Sequence, residues 1–241
     1  MKTPNDPDMD GADAARTIAS SGRLRPRSIS ETPSLPSENP IDHRAASRMR
    51  LPANSRVGLS FPLDCVEFDA AGEVFYAIKE GAWDVAFLAL DPLRSGQIAF
   101  SPPYVVVKGT YLVQSQDKGA LDRAGEGAAY DLYLSRSLRS AQLVRAATSS
   151  AAVGLFLSDG LDAAAGVRQP LEKAARENPA LRVLPGCFIT ILQAVGLPRT
   201  RPGGLLYLTR FIEEMKATGF VAKALRASDQ VDAQVAPADQ P

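Results

Sequence analysis

From residue 66 onward the chain alternates short apolar runs with segments whose apolar positions recur at spacings of three and four. Residues 1–60 carry no such rhythm. They are rich in Pro, Ser, Asp and Arg and read as a largely irregular, disordered segment. The stretch LRPRSISETPSLPSENP, residues 24–40, has four prolines and reads as a linker without a strand.

After that, CVEF predicts a short strand. DAAGEVFYAIKEG predicts a helix with Val74, Phe75 and Ile78 on one face and Gly81 as its stop. WDVAFLAL, residues 83–90, is a continuous apolar run, as in a strand covered on both sides. PYVVVKGTYLV, residues 103–113, is β-branched and aromatic and gives the strongest strand signal. AAYDLYLSRSLRS predicts a helix, AQLVRA a short strand, and SSAAVGLFLSDG a serine-capped helix closed by Gly160. LDAAAGV predicts a strand and RQPLEKAARENP a helix. LRVLPGCFITILQAVGLP reads as one or two strands interrupted at Pro185-Gly186. GGLLYLTRFIEEMKATGFVAKALRAS predicts a long amphipathic helix that Gly219 divides, and the tail from Asp229 reads as frayed. This alternation predicts an α/β fold with a mainly parallel sheet.

Composition narrows the function. Lys+Arg 27 balances Asp+Glu 27, so no global basic field exists to hold nucleic acid or an anionic membrane. The single histidine, His43, lies in the polar N-terminal segment, which argues against histidine-dependent nucleophilic catalysis and multi-histidine metal sites. Cys65 and Cys187 make neither a disulfide framework nor a zinc site; a single bridge is one alternative, two free buried thiols the other. No window has the roughly 20 apolar residues of a membrane span. The opening residues lack an apolar signal region, which as written points to the cytoplasm.

The stretch GAWDVAFLALDPLRSGQIAFSPPYVVVKGTYLV, residues 81–113, resembles the family 3 extracellular solute-binding proteins of ABC transporters. The downstream phrases GAAYDLYLSRSL, LFLSDGLDAAAGV and RVLPGCFITILQAVG are similar to that family too. The resemblance implies a two-lobe, type II periplasmic-binding-protein fold. Lobe 1 would comprise residues 61–107 and 190–228, lobe 2 residues 108–189, and 229–241 a flexible tail. It implies a monomer without cofactor, metal or nucleic acid, working in the periplasm with a small anionic or amino-acid-like solute and an ABC transporter permease.

The resemblance also implies site residues. Arg94 corresponds to the residue that grips a ligand carboxylate, a job suited to a planar, permanently charged fork of donors. The alternative is that it caps or pairs within its own turn. Ala89 and Asp91 share that turn. Gly127, Ala128 and Ala129 would offer a helix N-terminus from lobe 2 to an anion, or form an ordinary helix start. Gly166 and Arg168 would line the other wall, Arg168 reading equally well as solvated surface. Amino-acid binders of the family carry an Asp where Val167 stands, so an ammonium group would lack its counter-charge here.

Two departures from the family pattern suggest altered reading frames or lost segments. Deleting one base after the arginine codon of a family-like phrase, LRAAINFGNPVLA, reproduces residues 24–36, so residues 26–54 read as a frame-shifted replacement of the first strand and helix of an incomplete lobe 1. The text after LDRAG goes directly to a helix, where relatives have another strand. The resemblance therefore leaves open a degenerate, non-binding paralogue. It leaves open also a cyclohexadienyl-dehydratase-like enzyme, for which Asp91 is the acid/base candidate; turn capping is its competing role, and the balance favours a non-enzyme.

Overall fold

The computed structural model describes residues 26–29, 66–68, 71–116, 129–138, 142–146, 149–200, 202–228, 230 and 232–239. Within them the element order is β1 (Pro26–Ile29), β2 (Val66–Phe68), α1 (Ala71–Tyr76), β3 (Val85–Ala89), α2 (Pro92–Ser95), β4 (Ile98–Phe100) and β5 (Val105–Gln114). There follow α3 (Ala129–Ser137), α4 (Ser149–Ser158), β6 (Ala164–Val167), α5 (Arg168–Glu177), β7 (Leu181–Val183) and β8 (Ile189–Pro198). The chain ends with α6 (Leu205–Ala217), α7 (Phe220–Ala227) and β9 (Gln234–Val235). No helix among the described residues is long and apolar enough to cross a membrane.

The strands follow the order β2-β1-β3-β8-β5-β6, with β4 on β8 and β7 and β9 on β5. Two ten-residue strands organise the molecule. Val105 to Gly109 of β5 pair with Gln193 to Ile189 of β8. Beyond that shared stretch each strand continues into a different half. The far end of β8 pairs with β3 and β4, whereas the far end of β5 pairs with β6 and β7. The crossing is tight at Gly109, where a Cβ would lie 2.5 Å from Ile189 Cγ2, so only glycine lets the two backbones approach this closely.

Each half packs both faces of its strands. In β3, Val85 and Ala89 face the central core while Ala86 and Leu88 face a second cluster with Val74, Trp83 and Ile98. This is the double coverage that the continuous apolar run implies. In β5, Tyr111 and Val113 join the central core, whereas Leu112 joins Phe156, Leu171 and Leu181 on the outer face. The central core is continuous along the two long strands, from Leu208, Ile212 and Leu225 of α6 and α7 to Leu134 of α3.

Several sequence expectations are corrected. The sheet is not mainly parallel: β1–β2 and β1–β3 are parallel, and the other pairings among the described residues are antiparallel. The cause is that β5 and β8 run in opposite directions through both halves, so their neighbours inherit antiparallel partners. Residues 26–29, read as linker, form β1 between β2 and β3. Pro26 is tolerated because it is the first residue of the strand, and pairing on both sides overrides the local composition. The tail from Asp229 is not frayed throughout, since Gln234 and Val235 pair with Val106 and Val105, and Ala236 is buried. AQLVRA yields no strand at 142–146. Cys187 is exposed rather than buried, on the turn after β7, and Cys65 lies outside the described residues.

Candidate functional site

The turn from β3 into α2 is built by four adjacent residues, 89–92. Leu90 N–H donates to Leu192 O at 2.8 Å and Ala89 pairs with Gln193, which pins the end of β3 to the crossing strand β8. Asp91 is extended, with φ −144 and ψ 140, and its Oδ1 accepts Leu93 N–H at 2.8 Å as the N-cap of α2. Pro92 then takes the first helical position, where a missing N–H costs nothing. Arg94 folds back under this turn, its Nη1 donating to Ala89 O at 3.0 Å. The residue is only 2% exposed, an unusual burial for a permanent cation.

Asp91 is buried too, and a second half of the molecule reaches it. Arg136, in the last turn of α3, donates from Nη2 to Asp91 Oδ2 at 2.9 Å and from Nη1 to Oδ1 at 3.4 Å. With the cap included, both oxygens of Asp91 accept hydrogen bonds. The helix bearing Arg136 is fixed at its other end. Asp131, buried in the first turn, accepts from Arg145 Nε at 3.0 Å, and Arg145 Nη2 donates to Ser135 Oγ at 2.7 Å. Tyr133 of α3 stacks on Phe188 at 6.0 Å between ring centres, and Phe188 stacks on Tyr111 of β5 at 4.5 Å.

The other sequence candidates occupy different places. Ala129 begins α3, while Gly127 and Ala128 lie outside the described residues. Gly166 is buried in β6 opposite Thr110, with Leu171 side-chain atoms 3.4 Å from where a Cβ would stand. Arg168, first residue of α5, pairs with Glu172 at 3.2 Å and donates from Nη2 to the carbonyls of Leu184 and Gly186. It thus ties α5 to the β7–β8 turn. The structure brings Ala89, Asp91 and Arg94 together in one turn. The partner of Asp91, Arg136, was not singled out from the sequence. On its helix it looks like any solvated arginine, and no local spacing marks it.

Two buried tyrosines border the crossing. Tyr104 precedes β5, its N–H donating to Gln193 O at 2.9 Å, and burial pushes its phenol well above the usual range. Tyr207 of α6 is pushed up to about 12, by burial first and then by the nearby Glu214 carboxylate. Among the described residues, no group of three His, Cys, Asp or Glu side chains stands where it could hold a metal ion.

No protein-family model matches the chain, and no curated protein matches it. Solved structures do. The solute receptor for L-cysteine of Neisseria gonorrhoeae superposes with a TM-score of 0.70 at 16% identity, covering 89% of this chain and 92% of that one. A mutant of ArgBP from T. maritima gives 0.69 at 15% identity, over 90% and 99%. A putative binding component of an ABC transporter from Wolinella succinogenes, complexed with lysine, gives 0.66 at 16%, over 86% and 95%. With the crossing strands and doubly covered halves, these define the class: the chain has the two-lobe α/β fold of periplasmic solute-binding proteins. β5 and β8 are the strands shared by its two halves.

Proposed function

We propose that this chain is a solute receptor that closes its two lobes on a small, amino-acid-like carboxylate and passes it to an ABC transporter permease in the periplasm. Arg94 is the residue on the carboxylate. The observation that carries this reading is an arginine only 2% exposed in the β3–α2 turn, beside the long strand β8. A cation held there gains from an anion far more than a solvated one does, because little water screens it.

Support for the ligand class comes from the structural neighbours, which are described as a receptor for L-cysteine and a binding component holding lysine. The absence of a carboxylate at Val167 favours ligands whose amino group is missing or held elsewhere, such as 2-oxo acids, over simple α-amino acids. Against catalysis by Asp91 stands the structural work its carboxylate already does, capping α2 through Leu93 N–H and pairing with the Arg136 guanidinium. We also read residues 26–54 as a frame-shifted replacement, which the nucleotide sequence of those codons tests directly.

The functional test is a thermal-shift panel of the amino acids, their 2-oxo acids and short dicarboxylates on the purified full chain. A ligand at about one hundred times its Kd is expected to add about 2.7 kcal/mol of stability and raise the melting temperature accordingly. A panel without any shift would leave the degenerate, non-binding reading standing.

A further inference from the structure

The Asp91–Arg136 pair joins side chains 45 residues apart, on opposite sides of the strand crossing. Asp91 is carried by lobe 1, at the end of β3 where Ala89 pairs with Gln193. Arg136 is carried by α3, after β5 has crossed to the other lobe. We propose that this pair is a salt-sensitive clasp between the lobes, which favours the closed arrangement before ligand arrives and so sets the affinity of the cleft. The affinity part rests on the receptor reading above; the clasp itself does not.

Three features make the pair separable from the folding of either lobe. The Asp91 carboxylate divides its work: Oδ1 caps α2 through Leu93 N–H, while Oδ2 takes the shorter contact with Arg136 at 2.9 Å. When the lobes part, the cap remains and α2 stays formed. Helix α3 is positioned by residues of its own lobe, through Asp131–Arg145, Ser135–Arg145 and the Tyr133–Phe188 stack. Arg136 sits in the last turn of α3, where a cation is stabilised by the helix dipole whether or not it is paired. Breaking the clasp therefore opens the molecule without melting a helix.

The geometry also fixes how strong the clasp is. The two guanidinium–carboxylate contacts, at 2.9 and 3.4 Å, are forked. Yet the side chains are unequally buried, 40% exposed for Arg136 and 5% for Asp91, so water and salt reach the pair from one side. Such a pair biases an equilibrium between open and closed rather than locking it. Its loss is expected to change the closed population, and with it ligand affinity, by roughly two- to fivefold.

The experiment is small-angle X-ray scattering on the unliganded full chain at low salt, about 20 mM, and high salt, about 500 mM, where the screening length falls severalfold. Wild type, Arg136→Gln, Asp91→Asn and the double variant are compared. Asparagine keeps the α2 cap and Arg136 is a partly exposed residue, so all four are expected to fold, with circular dichroism as the check. At low salt the three variants are expected to share a larger radius of gyration than wild type. Wild type should approach them at high salt, while they change little. Superimposable low-salt profiles for wild type and Arg136→Gln would overturn the clasp, as would single variants whose effects simply add. A clasp seen by scattering with no ligand found in the thermal panel would sink the receptor reading alone.

Discussion

Trp83 illustrates how a single polar atom governs a buried residue. It is fully buried, and its indole N–H donates to Val74 O at 2.8 Å. Replacing it by phenylalanine leaves that carbonyl without its partner and opens space beside Ala86 and Ile98. Trp83→Phe is expected to lower stability by about 2–4 kcal/mol in urea unfolding. Tyr207 behaves oppositely. Its hydroxyl is buried without a hydrogen-bond partner among the described residues, so Tyr207→Phe is expected to be neutral or mildly stabilising at pH 7. The pH dependence has a definite sign. The folded phenol holds its proton up to about 12, while the unfolded one releases it near 10, so stability is full below 10 and falls as pH rises through that window. Tyr207→Phe should flatten part of that alkaline loss. At this scale the sequence was partly legible. Arg94 stood out only through the family resemblance, and Asp91 as its neighbour in the same turn. Arg136 did not, because its partner is 45 residues away and only the strand crossing brings them together.

Elements with a strong local period were the legible ones. The apolar run at residues 83–90 becomes β3, the β-branched run at 103–113 becomes β5, and Gly219 divides α6 from α7 with φ 74. A side chain at that φ is strained whatever space surrounds it, so Gly219→Ala is expected to cost about 1–2 kcal/mol in urea unfolding, although no atom lies near its Cβ. The elements that were not legible depend on partners. β1 and β9 are short segments of four and two residues whose pairing comes from β3 and β5, not from their own text. AQLVRA has a strand's composition, but Arg145 within it is committed to α3 through Asp131 and Ser135. The last strand carries a testable consequence. Lys216 Nζ bridges the carbonyls of Pro103 and Pro237, and Ala236 N–H donates to Tyr104 O at 3.0 Å, so the tail straps the entrance of β5. Ending the chain at residue 229 is expected to cost about 1–3 kcal/mol. Amide exchange should then rise at residues 104–106, which the lost strand covers; unchanged exchange there would show that the tail contributes nothing.

For the whole molecule, two antiparallel crossing strands carry one continuous core, and the Asp91–Arg136 pair adds a charged contact between segments 45 residues apart. The alternation of elements pointed to an α/β fold, but the direction of the sheet depended on how two long strands traverse both lobes, which no local pattern encodes. We propose that Arg94 holds the carboxylate of a small solute. Isothermal titration of the strongest ligand from the thermal panel into wild type and Arg94→Gln tests it most directly, with Trp83 fluorescence confirming that lobe 1 is folded in both. One site is expected in wild type, and an affinity lower by about one hundredfold or more in Arg94→Gln, the scale of a lost buried charge partner. Equal affinity in two folded proteins would contradict it.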